Sequence, residues 1–134
     1  MPAAPIIRRT DSAFVVQVEI PYKPSMLEAE QAIQDALNQA GVAATEEVLG
    51  RFDTDGAPIR LGPVKMTSLG RVPKQYQTPY GVATVARHVY QTSAGGTTFC
   101  PLDQNARIVV SSTPRFAKIV AFLIVTDFGA SVSC

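Results

Sequence analysis

One histidine, two cysteines and a short acidic turn are the residues of this 134-residue chain whose types suggest chemistry. His88 lies inside the alternating run Val82–Tyr90. An imidazole serves as general base or metal ligand only beside a group that orients it. No acid stands near it in sequence, so a packed or surface side chain is expected. Cys100 precedes Pro101 without a motif that would activate a thiolate, and reads as a structural thiol. Cys134 does not share a metal-ligand spacing with it. Asp53-Thr-Asp-Gly56 has alternate carboxylates, as a calcium loop does. An EF-hand loop, however, places its glycine sixth and a bidentate glutamate twelfth. Here Gly56 is fourth and Val64 stands twelfth, so a plain turn is the better reading. Ser93-Ala-Gly-Gly96 lacks the lysine and helix of a phosphate loop. Two-metal phosphoryl transfer needs several converging carboxylates. Residues 57–125 offer Asp103 alone. The residues therefore predict no catalytic site, no metal site and no cofactor in this chain, and no enzyme acting by itself.

Charge is the stronger signal. The formal net charge of +1 hides a division between the halves of the chain. Residues 1–56 carry four basic and nine acidic side chains, a net −5, whereas residues 57–125 carry eight basic against Asp103, a net +7. A segment with so few carboxylates suggests a polyanion as partner. Aromatics are interleaved with it: Lys74 with Tyr76, Tyr80 at a turn, Arg87 beside His88 and Tyr90. Lysine and arginine neutralise phosphates and aromatics stack on exposed bases. At least two of the three tyrosines are nevertheless expected in the core.

The elements that must position these residues follow from periodicity and punctuation. Ala13–Ile20 alternates as a strand, ended by Pro21 and Pro24. Ser25 with Glu28 forms a capping box, and Met26, Ala29, Ile33, Ala36, Leu37 and Ala40 make an apolar helical stripe. Gly41 is expected to stop that helix, with a second one running from Thr45 to Phe52. Val64–Thr67 and Arg71–Gln77 read as two short strands, the latter pushed toward an edge by Pro73. Thr78-Pro-Tyr-Gly81 and Ser93-Ala-Gly-Gly96 reverse the chain around a strand at 82–90, with a return strand at 97–100. Ala106–Val110 is ambiguous between strand and helix. Thr113 caps a last helix with Pro114 at its first position, carrying Phe116, Ile119, Val120, Leu123 and Ile124 on one side.

The expected class is α+β. It comprises an acidic strand and helical hairpin (1–56), a basic antiparallel meander (57–112), and a C-terminal helix and tail (113–134). Whether the leading strand joins the meander stays open. Ile119–Val125 is the longest apolar run, well short of a membrane span, and the order of apolar and basic residues at the N-terminus is wrong for a secretory signal. A reduced, cytoplasmic protein without a disulfide is expected.

Several stretches in order carry a resemblance. Arg51–Ile59, Val64–Gly70, Pro73–Gly81 and Val85–Tyr90 are followed by Gly95-Gly96, Cys100–Asp103, Ala106–Ile108 and Ser112–Lys118. Together they resemble the N-terminal region of bacterial insertion-sequence transposases of the ISKra type, a DDE group. The resemblance implies a DNA-contacting portion for element ends, with Lys65, Arg71, Lys74, Arg87, Arg115 and Lys118 as candidate DNA-binding residues. It also implies that the metal-dependent catalytic domain lies elsewhere, and that divergence after Lys118 reflects a truncated or frameshifted copy. The alternatives are an oligomerisation or assembly module of such a transposase, using the acidic helices and the last helix, or an inactive remnant.

Overall fold

The computed structural model describes the backbone of residues 4–133 and the side chains of residues 4–123. Ile124 of the expected last-helix stripe and Cys134 lie outside the described side chains. The protein is α+β. A two-stranded antiparallel sheet pairs β1 (Ile6–Arg9) with β2 (Phe14–Val16), and a four-stranded antiparallel sheet runs in sequence order. Its strands are β3 (Ile59–Leu61), β4 (Val64–Thr78), β5 (Gly81–Thr92) and β6 (Gly95–Phe99). Three helices accompany them: α1 (Met26–Gly50), α2 (Pro101–Asn105) and α3 (Pro114–Ser133).

The leading strand does not join the meander. It forms over Phe14–Val16, paired with the four-residue β1, and the Pro5 carbonyl accepts from the Gln17 amide just past the Ile6–Val16 pair. Val18 and Ile20 are left exposed. Arg9 ties this small sheet to α1 through a bidentate pair with Glu47 (2.7–3.1 Å).

The expected helical hairpin is instead one 25-residue helix, begun as predicted by Ser25, whose hydroxyl accepts from the Glu28 amide. Gly41 does not end it. A Cβ at Gly41 would stand 2.8 Å from Tyr80 Cβ and closer still to its ring carbons. The glycine therefore admits the β4–β5 turn against the helix rather than terminating the helix. The apolar stripe is also rotated from the expected one. Ala32, Ala36, Ala43 and Leu49 are buried, while Met26, Ile33 and Leu37 are exposed. Small residues face β5 because the helix lies close to it.

The two short strands expected over 64–77 are one strand with a bulge between Ser68 and Arg71, where Gly70 takes φ +109°. β3, not anticipated, pairs with the start of β4 across the two-residue loop Gly62-Pro63, Gly62 having the positive φ such a turn requires. Both long strands have their outer edges covered in part. On β5, Glu46 accepts the Thr84 amide (2.7 Å) and Asp53 the His88 amide (3.1 Å), before β6 takes over at Tyr90. On β4, Gln77 exchanges backbone bonds with Ser111 and Thr113. Pro73, opposite Ala86, is in the same outward-facing register, so its missing N–H costs the ladder nothing.

The core is compact, built from Leu49, Tyr76, Val85, Leu102 and Ala106. Tyr76 and Tyr90 are fully buried and Tyr80 is half exposed, so two of the three tyrosines are core residues. Residues 106–113, ambiguous in sequence, form neither a regular helix nor a strand. They make a tight reversal with mutual Val109–Ser112 backbone bonds, and Val110 and Ser111 at φ +46° and +64°. α3 starts at Pro114 as expected, but the Thr113 hydroxyl does not cap it: that oxygen is buried without a partner. α3 packs on β4, and Ile119, Val120, Phe122 and Leu123 are exposed.

Candidate nucleic-acid interface

The six expected DNA-binding residues do not form one surface. Strand register puts Arg71 and Lys74 on opposite faces of the β4–β5 ribbon, since they are three residues apart beyond the bulge. Arg71 is exposed and donates to the Ala86 carbonyl (3.2 Å). Arg115 and Lys118 lie exposed on α3. Lys65 is exposed on the narrow β3–β4 ribbon, directly opposite Arg60, also exposed. Neither the Arg60 nor the Lys65 side chain has a hydrogen bond or ion pair among the described residues. Sequence reasoning missed Arg60 as a site residue. The available signal was the Gly62-Pro63 loop: reading it as a hairpin places the two cations across from each other.

Lys74 and Arg87 share the other face and an internal network. Tyr76 donates to Asp103 Oδ1 (2.5 Å), Lys74 pairs with Asp103 Oδ2 (3.3 Å), and Arg87 Nε donates to the Tyr76 hydroxyl (3.1 Å). Arg87 Nη1 also reaches the Val72 carbonyl (2.9 Å). α2 exists to deliver this arrangement: Leu102 plugs the core while the adjacent Asp103 meets the sheet. Burial, then the Asp103 carboxylate, pushes the Tyr76 hydroxyl well above its ordinary pKa. Burial likewise raises the pKa of the neighbouring Cys100 thiol. These two cations are therefore held in place rather than freely mobile.

The acidic turn and the histidine meet. Asp53 accepts the His88 backbone amide, Thr54 Oγ1 lies 2.6 Å from the Tyr90 hydroxyl, and Tyr90 donates to Ala57. His88 Nδ1 lies 2.9 Å from Ser68 Oγ. That hydroxyl–imidazole pair resembles a nucleophile and base, but Asp53 bonds the backbone of His88 and not its ring, so the carboxylate does not orient the imidazole as such catalysis requires. Among the described residues no group of three or more His, Cys, Asp or Glu side chains converges as metal ligands, and no helix is long and apolar enough to cross a membrane. No family model, curated protein or solved structure matches this chain.

Proposed function

We propose that this chain is a non-catalytic DNA-contacting module of the transposase type its motif order resembles, working on DNA in the cytoplasm. The observation that carries the reading is the Arg60–Lys65 pair. Like charges directly opposite on an antiparallel pair destabilise it. Here they stand exposed and unneutralised on a ribbon two strands wide, a shape the major groove of duplex DNA admits. A phosphate backbone supplies the missing counter-charge. Arg71, Arg115 and Lys118 are exposed cations that extend such a contact. Nothing in this arrangement reads bases, so the expected binding is governed by phosphates.

The test is fluorescence anisotropy with a labelled duplex at low and moderate salt, on the intact chain and on Arg60→Ala and Lys65→Ala. Binding that weakens with salt and is reduced by each substitution supports the reading. Binding insensitive to salt, or equal in the variants, contradicts it. A second reading, assembly of copies, draws on the exposed Met26, Leu27 and Leu37 of α1 and Phe122 and Leu123 of α3. Sedimentation that finds a monomer across a wide concentration range removes it.

A further inference from the structure

The Lys74–Arg87 network borders a cleft of about 540 Å³, also lined by Val89, Phe99, Asp103 and Ile108 among others. We propose that this cleft is a nucleotide pocket, in which Lys74 and Arg87 hold one phosphate and Phe99, Val89 and Ile108 bound the base.

Four features carry it. First, sign: two cations face one carboxylate, leaving the cleft net positive. Second, capacity: Lys74 spends one of its three ammonium hydrogens on Asp103, and Arg87 spends Nε and Nη1, leaving the Nη2 hydrogens unspent. Charge-assisted bonds from these donors suit a phosphate. Third, preorganisation: Tyr76 and the Val72 carbonyl fix Arg87, and Asp103 fixes Lys74, so little side-chain freedom is lost on binding. Fourth, size and chemistry: the cleft is far larger than a bare phosphate and falls within the range of small-molecule sites. Its lining also includes an aromatic ring, Phe99, and two branched aliphatics, Val89 and Ile108. An anion carried on a planar body satisfies both ends, and aromatic side chains stack on bases of any sequence. The choice of a nucleotide among such molecules rests on the DNA-contacting function proposed above; the anion-binding end does not. The nucleotide can be free or an unpaired residue of a strand.

The experiment is calorimetric titration of the full chain with thymidine 5′-monophosphate, inorganic phosphate and thymidine, and with a duplex carrying or lacking a single-stranded overhang. Thymidine monophosphate is expected to bind saturably, at least tenfold tighter than phosphate or thymidine. Equal affinity for phosphate and the nucleotide overturns the base-binding wall, and no saturable binding of the nucleotide by folded protein overturns the pocket. Tighter binding of the overhang duplex than of the blunt one assigns the site to strand ends; equal binding of the two, with nucleotide binding intact, assigns it to free nucleotides. Arg87→Gln is expected to cut nucleotide affinity at least tenfold. Because that change also disturbs the core network, Thr98→Glu, an exposed position lining the cleft, serves as the fold-neutral variant. It is expected to weaken the nucleotide by a similar factor, and unchanged affinity in it overturns the proposal. Lys65→Glu separates the two functions: duplex binding falls while nucleotide binding holds. If duplex binding fails but the nucleotide still binds, the ribbon reading is wrong and the pocket stands.

Discussion

Replacing Gly41 by alanine sets two effects of known size against each other. In an unobstructed helix interior the change gains about 0.5–1 kcal/mol, because glycine holds the most backbone freedom when unfolded. At Gly41 the added methyl falls 2.8 Å from Tyr80 Cβ, and nearer still to Cγ and Cδ1. These atoms sit at the root of the side chain, so rotating the ring does not clear them and the 78–81 turn must move off the helix. Overpacking of that kind costs about 1–3 kcal/mol. The expected net is a destabilisation of up to about 2.5 kcal/mol, opposite in sign to the ordinary helix effect. Urea unfolding followed by circular dichroism reads it: with a slope of about 1–3 kcal/mol per molar, the midpoint falls by several tenths of a molar or more. In a Tyr80→Gly background all three obstructing atoms are gone, and Gly41→Ala should stabilise by about 0.5–1 kcal/mol. A stabilising Gly41→Ala in the otherwise unchanged chain would refute the close approach of turn and helix.

Three further expectations concern the network, the strained reversal and the covered edge of β5. The Tyr76 hydroxyl has its pKa raised in the folded chain by burial and by Asp103, so the native state favours its neutral form. That contribution is complete below the unfolded tyrosine pKa, about 10, and is lost as pH rises from there toward the folded value. Urea midpoints should decline above that pH, and Tyr76→Phe should be less stable at neutral pH by about 1.5–3 kcal/mol yet decline less in alkali. Val110 is a β-branched residue at φ +46° and is exposed, so Val110→Gly should raise stability by about 1 kcal/mol, seen as a melting temperature higher by several degrees; a loss would mean the reversal is not strained. Glu46→Ala removes the acceptor of the Thr84 amide, and hydrogen exchange at Thr84 should quicken while Ala83 and Val85, bonded toward β4, keep their protection.

Local chemistry made much of this fold legible. The Ser25 box, the Thr78–Gly81 and Ser93–Gly96 reversals and Pro114 each announce an element within four residues, and the elements form where they predict. Gly41 misled because glycine marks both a helix stop and a close approach, and only the distant Tyr80 decides between them. Buried alanines, not the larger apolar residues, mark the inner face of α1, since a helix lying close to a strand has room for little else there. β1, β3 and α2 were not foreseen: each is five residues or fewer, too short for periodicity to register. The candidate site was partly legible. The basic excess named Lys65, but pairing it with Arg60 requires β3, and the Tyr76–Asp103 contact spans 27 residues without any local sign. Charge composition likewise gave no hint that Arg71 and Lys74 face opposite ways.

The salt dependence of duplex binding tests the DNA-contacting role most directly, compared between the chain as it stands and an Arg60→Ala/Lys65→Ala double variant. Each phosphate contact contributes about 0.9 to the slope of log affinity against log salt. If the β3–β4 ribbon grips the backbone, the double variant should bind more weakly at low salt and its slope should be shallower by about 1.8. A duplex that binds with the same affinity and the same slope in both proteins, or binds neither at low salt, would contradict the role assigned to this chain.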